Sequence, residues 1–495
     1  MSIGVNVTSS TRSAPSTNQL AAGATYFAAG ITERGDTSIT TKVTSLSDFE
    51  RLFGGYVSYG SLHQDIRTFF EEGGGSAYIG RVVGPTPVVA SLTLVDKAGS
   101  PVSTLRIDAF GPGAWAQGVT IGVAAGDLSG TFKITVSYSG AGAQAPEVYN
   151  NLVTPADAVR QMSNSAYVRA TDLGSSTAAP NNQPANISPA ALSGGTDDRS
   201  NITTAQYTAA LNLFLSGLGS GVVAIPGQPA SSVGSILRDH AVANNRIAFT
   251  APSSGQTVNQ AISAVGSLVS TLAGNGAEYV GMIYPWIKIP DPSINGVTRT
   301  ISPEGYAAAC RARANEAGGP VVAPAGDISI ARFVVDTEKH LVQADIDSLN
   351  AAKVSPIAII GGNIELYGYR SLSTDDANYH WLTARDVVNY VSVDAKDAVE
   401  QFVFRVIDGN GRLFSDMNAA LTGRLELLKS SDQFYVNEVN GQLIDPGYRV
   451  DTGSSVNTPT TIAQNKAKAL ISIRPAPSAE EIDIEVAKVA VGGSV

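Results

Sequence analysis

Between Thr131 and Tyr138 polar and apolar residues alternate: Thr131, Lys133, Thr135 and Ser137 against Phe132, Ile134, Val136 and Tyr138. A period of two places one face of an antiparallel strand in a core and the other in solvent. The surrounding stretch keeps that character, with strands expected at Val88 to Val95, Thr104 to Phe110, Val119 to Ala124 and Glu147 to Leu152, a short helix from Pro155 to Met162, a strand around Tyr167 and Val168, and a loop from Gly174 to Ser188. On both sides the rhythm differs. Ala24 to Ile31 is a continuous apolar run, Leu46 to Phe53 and Leu62 to Phe70 carry helical spacing, and Tyr78 to Val83 is again strand-like. After Gly194 the spacing predicts helices at Thr203 to Leu218, Ser231 to Asn244, Thr257 to Leu272 and Pro303 to Asn315. They alternate with apolar strands at Gly221 to Ile225, Arg246 to Thr250 and Tyr279 to Tyr284. Apolar strands between amphipathic helices indicate a sheet covered on both faces. From about Asn350 strands are expected at Ile357 to Ile360 and Ile364 to Tyr369, helices at Ala395 to Val406 and Leu413 to Lys429, and strands at Gln433 to Val439 and Ala467 to Ile473. Asp386 to Val393 fits helix or strand.

The two ends alternate as well. Ile3, Val5 and Val7 are interleaved with Gly4, Asn6 and Thr8, and Ile482, Ile484 and Val486 with Asp483, Glu485 and Ala487. Each end stands apart from the next apolar segment, behind Thr8 to Asn18 at one end and Arg474-Pro475-Ala476-Pro477 at the other. A strand needs partners for its backbone groups. Tethered terminal strands suit addition to a sheet of another chain, and the competing reading folds them back onto their own sheet. The fold class expected is α/β, or α+β multidomain. A central α/β sheet domain (21–85 with 200–350) carries an inserted mostly-β domain (86–199), a C-terminal α+β domain (351–478) and extended N- and C-terminal β-strand arms (1–20 and 479–495).

Composition narrows the function. A chain of 495 residues is too long for one core. Only 15% of its residues are charged, below the usual quarter, so much of its surface is neutral and polar, as suits surface that ends inside an assembly. The net charge of −10 and the lack of a basic tract disfavour direct nucleic-acid binding. The single cysteine, Cys310, permits no internal disulfide and reads as a small apolar helix residue. The sequence shows no basic and apolar leader pattern and no apolar run of membrane-spanning length.

Catalytic and cofactor signatures are not found. His63, His240, His340 and His380 lack a metal-ligand spacing, there is no Gly-x-Ser-x-Gly elbow, and no Gly-Lys pair exists for a phosphate loop. Gly217-Leu218-Gly219-Ser220-Gly221 imitates a dinucleotide fingerprint, but it follows a helix and precedes a strand, the reverse of what pyrophosphate binding needs. The pairs Asp197-Asp198 and Asp375-Asp376 read as solvated turns. Glu480-Glu481 reads the same way, or as a contact with a basic partner across an interface. Trp115 and Trp286 read as packing residues.

Four stretches, in collinear order, carry a resemblance. Phe69-Phe70-Glu71-Glu72-Gly73-Gly74-Gly75-Ser76-Ala77-Tyr78-Ile79-Gly80-Arg81-Val82 is similar to F-F-x-N-G-G-x-x-A-Y-x-x-R-V. Gly111-Pro112-Gly113-Ala114-Trp115-Ala116-Gln117 is similar to S-P-G-x-W-G-N. Tyr284-Pro285-Trp286, Asp291-Pro292, Ala308 to Arg313 and Ala323-Pro324-Ala325 form a third group. Arg474-Pro475-Ala476-Pro477-Ser478-Ala479-Glu480-Glu481-Ile482 resembles P-x-x-P-A-E-x-I. Together they resemble tail sheath proteins of contractile-tailed bacteriophages and related contractile injection particles. The chain departs from the family's W-x-Y-I-N-V-R-R: Tyr379-His380-Trp381-Leu382-Thr383-Ala384-Arg385-Asp386 keeps the Trp and only the first Arg.

The resemblance implies a structural virion protein rather than an enzyme, assembled in the host cytoplasm and without a cofactor. It would polymerise as stacked hexameric rings around a tail tube, and its contraction would drive the tube through a host envelope for genome delivery. Partners implied are further copies of the chain through both arms, the tail tube protein, and baseplate and tail terminator proteins, with no direct nucleic-acid binding and no direct membrane insertion. The linking strands would be Ile3, Val5, Val7, Ile482, Ile484 and Val486. Arg412, Arg424 and Lys429, on one expected helix of the unit the family places inward, would face an acidic tube, and the insert would face outward. Alternatives are the sheath of a headless, tailocin-like injection particle, an α/β enzyme with an appended β domain, and a capsid or tube protein. An enzyme would need a convergent polar site that the sequence does not reveal. Tube proteins are usually shorter and not α/β.

Overall fold

The chain is described by a computed structural model covering residues 24–140, 142–272, 274–292, 294–480 and 484. Eight strands form its central sheet: β1 (Thr25–Gly30), β2 (Thr41–Val43), β3 (Ser76–Arg81), β4 (Val222–Ala224), β5 (Ile247–Thr250), β6 (Val280–Tyr284), β7 (Val354–Ile360) and β8 (Asn363–Leu366), in the order β8-β7-β6-β5-β4-β1-β3-β2. The inner strands run parallel, and β2 and β8 close the edges antiparallel. Each face of a parallel sheet needs a helical cover, and successive residues of β1 show it. Tyr26 and Ala28 enter the core under α1 (Leu46–Phe53), α2 (Leu62–Glu71) and a later helix, while Phe27 and Ala29 enter the opposite core. That opposite core is roofed by α3 (Thr204–Leu211), α4 (Ala230–Asn244) and α5 (Val258–Leu272), through Leu211, Leu237 and Leu268. The later helix on the first face is α6 (Glu304–Gly318), buried along most of its length, including Cys310. Then follow α7 (Gln343–Ala351), α8 (Leu382–Glu400) and α9 (Arg412–Ser430).

The insert consists of a three-stranded sheet (Ser91–Val95, Ser103–Ala109, Val168–Asp172) and a four-stranded sheet (Val119–Ala125, Phe132–Tyr138, Glu147–Leu152, Ile187–Ala191) closed over Leu105, Ile107, Ile121, Phe132, Ile134 and Val136. Its two ends meet. The Gly84 N–H donates to the Asp197 carbonyl at 2.9 Å, and the Thr86 N–H and hydroxyl donate to the Asp198 carboxylate at 3.0 and 2.7 Å. Asp198 therefore staples the insert shut rather than standing in a solvated turn.

Four expectations are corrected. The helix expected from Thr203 to Leu218 ends at Leu211, and in the turns that follow the buried Arg246 guanidinium donates to the carbonyls of Phe214, Leu215 and Gly219. The segment Asp386 to Val393 lies inside α8, which stops at Glu400 instead of reaching Val406. Its apolar residues Leu382, Val387, Tyr390 and Val391 recur with helical spacing on two packed surfaces. Strand Ile187–Ala191 begins in the stretch read as loop. Finally, β7 pairs with β6 and β8 with β7, so residues 354–366, expected in a separate C-terminal unit, complete the central sheet.

Candidate assembly surface and its supports

The C-terminal unit carries a short two-stranded ladder. Tyr448–Asp451 pairs antiparallel with Leu470–Ile473, with Tyr448 opposite Ile473 and Val450 opposite Ile471. Tyr448, Val450, Ile471 and Ile473 pack on Val391 of α8, Leu425 and Leu428 of α9, and Phe434. Two strands alone are marginal in water, so this packing holds the ladder. The chain then continues against residues 433–435: the Tyr435 N–H donates to the Arg474 carbonyl at 2.8 Å and the Ala476 N–H to the Gln433 carbonyl at 3.1 Å. Beside it a hairpin (Asn437–Val439 with Gln442–Asp445) exposes Val439, Leu443 and Ile444, and Leu470 of the ladder is 55% exposed. Apolar side chains along an open sheet edge form a template for another strand.

Of the linking residues expected from the sequence, Ile3, Val5, Val7, Ile482 and Val486 lie outside the described residues, and Ile484 is exposed. Arg412, Arg424 and Lys429 all lie on α9 but do not share a face. At 3.6 residues per turn Arg424 lies about 120° and Lys429 about 260° around the axis from Arg412. Arg424 reaches Asp394 of α8 at 3.5 Å and Lys429 reaches Glu426 at 2.5 Å, whereas Arg412 is exposed and has no ion pair among the described residues. The loop between α8 and α9 presents Val403, Phe404 and Val406, with Phe404 fully exposed at φ 65°.

Buried charges tie the units together. Arg311 of α6 holds Asp386 of α8 by two hydrogen bonds of 2.6 and 2.5 Å, and both side chains are buried. Asp386 is the residue that departs from the family's paired Arg, and it neutralises Arg311 of the third sequence group. Glu72, fully buried, accepts the N–H groups of Arg332, Phe333 and Val334, which secures the strap crossing behind the Gly73-Gly74-Gly75 turn. Arg34 lies between the insert and the sheet. It faces the rings of Tyr138 and Tyr167 at 4.9 and 5.2 Å and donates to the Glu50 carbonyl, while Glu33 accepts the Tyr138 hydroxyl at 2.5 Å. Gly111 stands in this junction at φ 96°, where a Cβ would strike the Gly35 carbonyl, and Trp115 packs on Tyr138. The second sequence group is thus an inter-unit joint. Sequence reasoning did not find these tethers. The available signal was an arginine or glutamate inside an otherwise apolar stretch.

The crevice at the carboxyl ends of the strands, where an α/β enzyme places its site, is lined by Tyr56, Tyr59, Gln64, Trp286 and Arg299, with Arg299 paired to Asp291 at 2.8 Å. Beneath it Asp65 accepts the Gly305 N–H at 2.7 Å and the Tyr26 hydroxyl at 2.8 Å, capping α6. Burial pushes the neighbouring Glu304 carboxyl up to about 7. The Cys310 thiol is likewise raised to about 11 by burial. Among the described residues no three metal-ligating side chains cluster, and no helix is long and apolar enough to cross a membrane.

No protein-family model matches the chain, nor does any curated protein. Solved structures do. A sheath tail protein from Listeria innocua matches at 13% identity and TM-score 0.59, over 89% of this chain and 92% of that one. A chain of the anti-feeding prophage helical sheath in its contracted state matches at 15% and 0.53, over 98% and 99%. A sheath complex of an extracellular contractile injection system, also contracted, matches at 12% and 0.55, over 98% and 99%. The chain has the fold of contractile sheath proteins.

Proposed function

We propose that this chain is the subunit of a contractile sheath: it polymerises as stacked hexameric rings around a tube and shortens to drive that tube forward. The observation that carries the reading is the near end-to-end likeness to sheath subunits. The open ladder at Leu470–Ile473 and the alternating arms 1–20 and 479–495 give the reading a physical joint. An arm strand from one copy adds to the ladder of the next, so subunits stay linked while their packing changes. A contact of this head-to-tail kind that does not close generates a helix. The energy of contraction then lies in two packings of one chain and needs no nucleotide. A structural subunit is favoured over the α/β enzyme for the same reason.

The finer reading is a phage tail sheath within a virion, with a tube protein, a baseplate and a tail terminator as partners. The second reading, a headless injection particle, is favoured by the likeness to the anti-feeding prophage and to an extracellular injection system. Arg412 is the residue of the basic trio best placed to meet an acidic tube.

Electron microscopy of the purified chain across a concentration series, with and without its tube protein, tests the reading. Striated hollow tubes are expected, and truncation after Ser478 abolishes them while leaving folded monomer. Ordinary tubes from the truncated chain would sink the linking-arm role. Particles purified from the source, with or without DNA-filled heads, decide between the two finer readings.

A further inference from the structure

Residues 474–480 lead from the C-terminal ladder back to the central sheet, where Glu480 meets an unusual arginine. Arg370 is 6% exposed. Its guanidinium lies over the Trp381 ring at 4.6 Å, its backbone bridges that of Trp381, and its N–H donates to the Ser355 hydroxyl at 3.0 Å. Nε and Nη1 are buried without a hydrogen-bond partner among the described residues, and Nη2 contacts the carboxylate of Glu480. The nearby Asp376 carboxylate is engaged by Lys353 at 2.7 Å. A buried guanidinium with unmet N–H groups is costly, and a carboxylate is the acceptor that matches its fork.

Glu480 ends the stretch Pro475-Ala476-Pro477-Ser478-Ala479-Glu480, whose prolines stiffen the approach. Two of the sequence features noted above, the retained Trp381 and the C-terminal glutamate, thereby meet in one place. We propose that Arg370 and Trp381 form a seat for the root of the C-terminal arm, holding Glu480 of the same subunit so that the arm departs from a fixed point in a fixed direction. The proposal rests on the reading of residues 479–495 as a linking arm. A seated root limits the directions the arm searches, which lowers the ordering cost when its strand joins a neighbour.

The test uses the full chain with Ile484→Cys labelled by a fluorophore; Cys310 is buried and stays unlabelled. In dilute monomer the time-resolved anisotropy should contain a slow component, with the label tumbling with the whole subunit. Glu480→Gln, at a half-exposed position that leaves the fold intact by circular dichroism, should lose that component, as should Arg370→Gln. An unchanged slow component in Glu480→Gln overturns the seat. A slow component that appears only at polymerising concentrations would put a neighbour's arm there and overturns the assignment within one subunit. The linking-arm reading is judged separately, by whether truncation after Ser478 abolishes tubes. Tubes could therefore persist while the seat is upheld, or vanish while it falls.

Discussion

Single residues in this chain act chiefly where charge is buried. Arg311 and Asp386 are each worth little on their own account, since taking both from water offsets much of their attraction. Removing one strands the other. Asp386→Ala should therefore destabilise the fold by about 3–5 kcal/mol in urea unfolding, and the double replacement Arg311→Met with Asp386→Ala should cost less than the single one. Glu304 gives a pH signature. Its folded pKa of about 7 lies above the ordinary 4.5 because burial disfavours the ionised carboxylate. The native state thus holds the proton more tightly than the unfolded chain. Stability is full below about pH 4.5 and declines as pH rises through about 7, by ~3 kcal/mol for this group. Glu304→Gln should match the wild type near pH 4 and exceed it at pH 8. Asp65, also raised by burial and facing both Glu304 and Tyr26, leaves a residual slope in both proteins. Equal pH profiles for the two would remove Glu304 from this role.

At the scale of elements, the joint between insert and sheet is built from side chains, whereas the chain crosses between them at one place. Gly84 and Asp197 are hydrogen-bonded neighbours, and Val88 bridges Thr196. Replacing residues 86–196 by a short Gly/Ser linker should leave the eight-stranded sheet folded, because closing a loop across so short a gap adds little entropy cost. Cooperative thermal unfolding of the shortened chain would be the expected result; a molten, protease-sensitive product would show that the insert is part of the folding unit. In the intact protein, Arg34→Ala should loosen that joint. Limited proteolysis should then cut near Gly84 or Ser200 faster than in the wild type, since the aromatic faces of Tyr138 and Tyr167 lose their cation.

For the whole molecule, the sparse charge acquires a meaning. Some of the charged groups serve internal tethers such as Arg311–Asp386, Glu72 and Arg34, and with only 15% of residues charged much of the remaining surface is neutral and polar. Under the proposed sheath function, open edges and exposed apolar tips such as Phe404 are the surfaces expected to meet other copies. Phe404→Ser, at a fully exposed position, should leave the unfolding midpoint unchanged; a lower midpoint would mean that the loop packs within the fold. Whether the replacement also alters assembly is read from the same tube-forming series.

The sequence by itself determined the element types and the layered plan. Burial on one face or two leaves its own period in the chain, so Thr131 to Tyr138 and Leu46 to Phe53 could be placed nearly to the residue. It also carried the collinear motifs and the alternating ends. Tertiary structure alone decided which of the later strands join the central sheet. Nothing local distinguishes β7, which joins the central sheet, from the ladder strand Leu470–Ile473, which does not; both are short apolar runs sorted by distant partners. It also decided which charges are paired. Arg311 finds Asp386 across two helices, Arg424 is drawn to Asp394, and Arg370 meets Glu480 only because the chain doubles back. Such contacts depend on where a side chain ends in space, and a one-dimensional pattern records only the period with which it leaves the backbone.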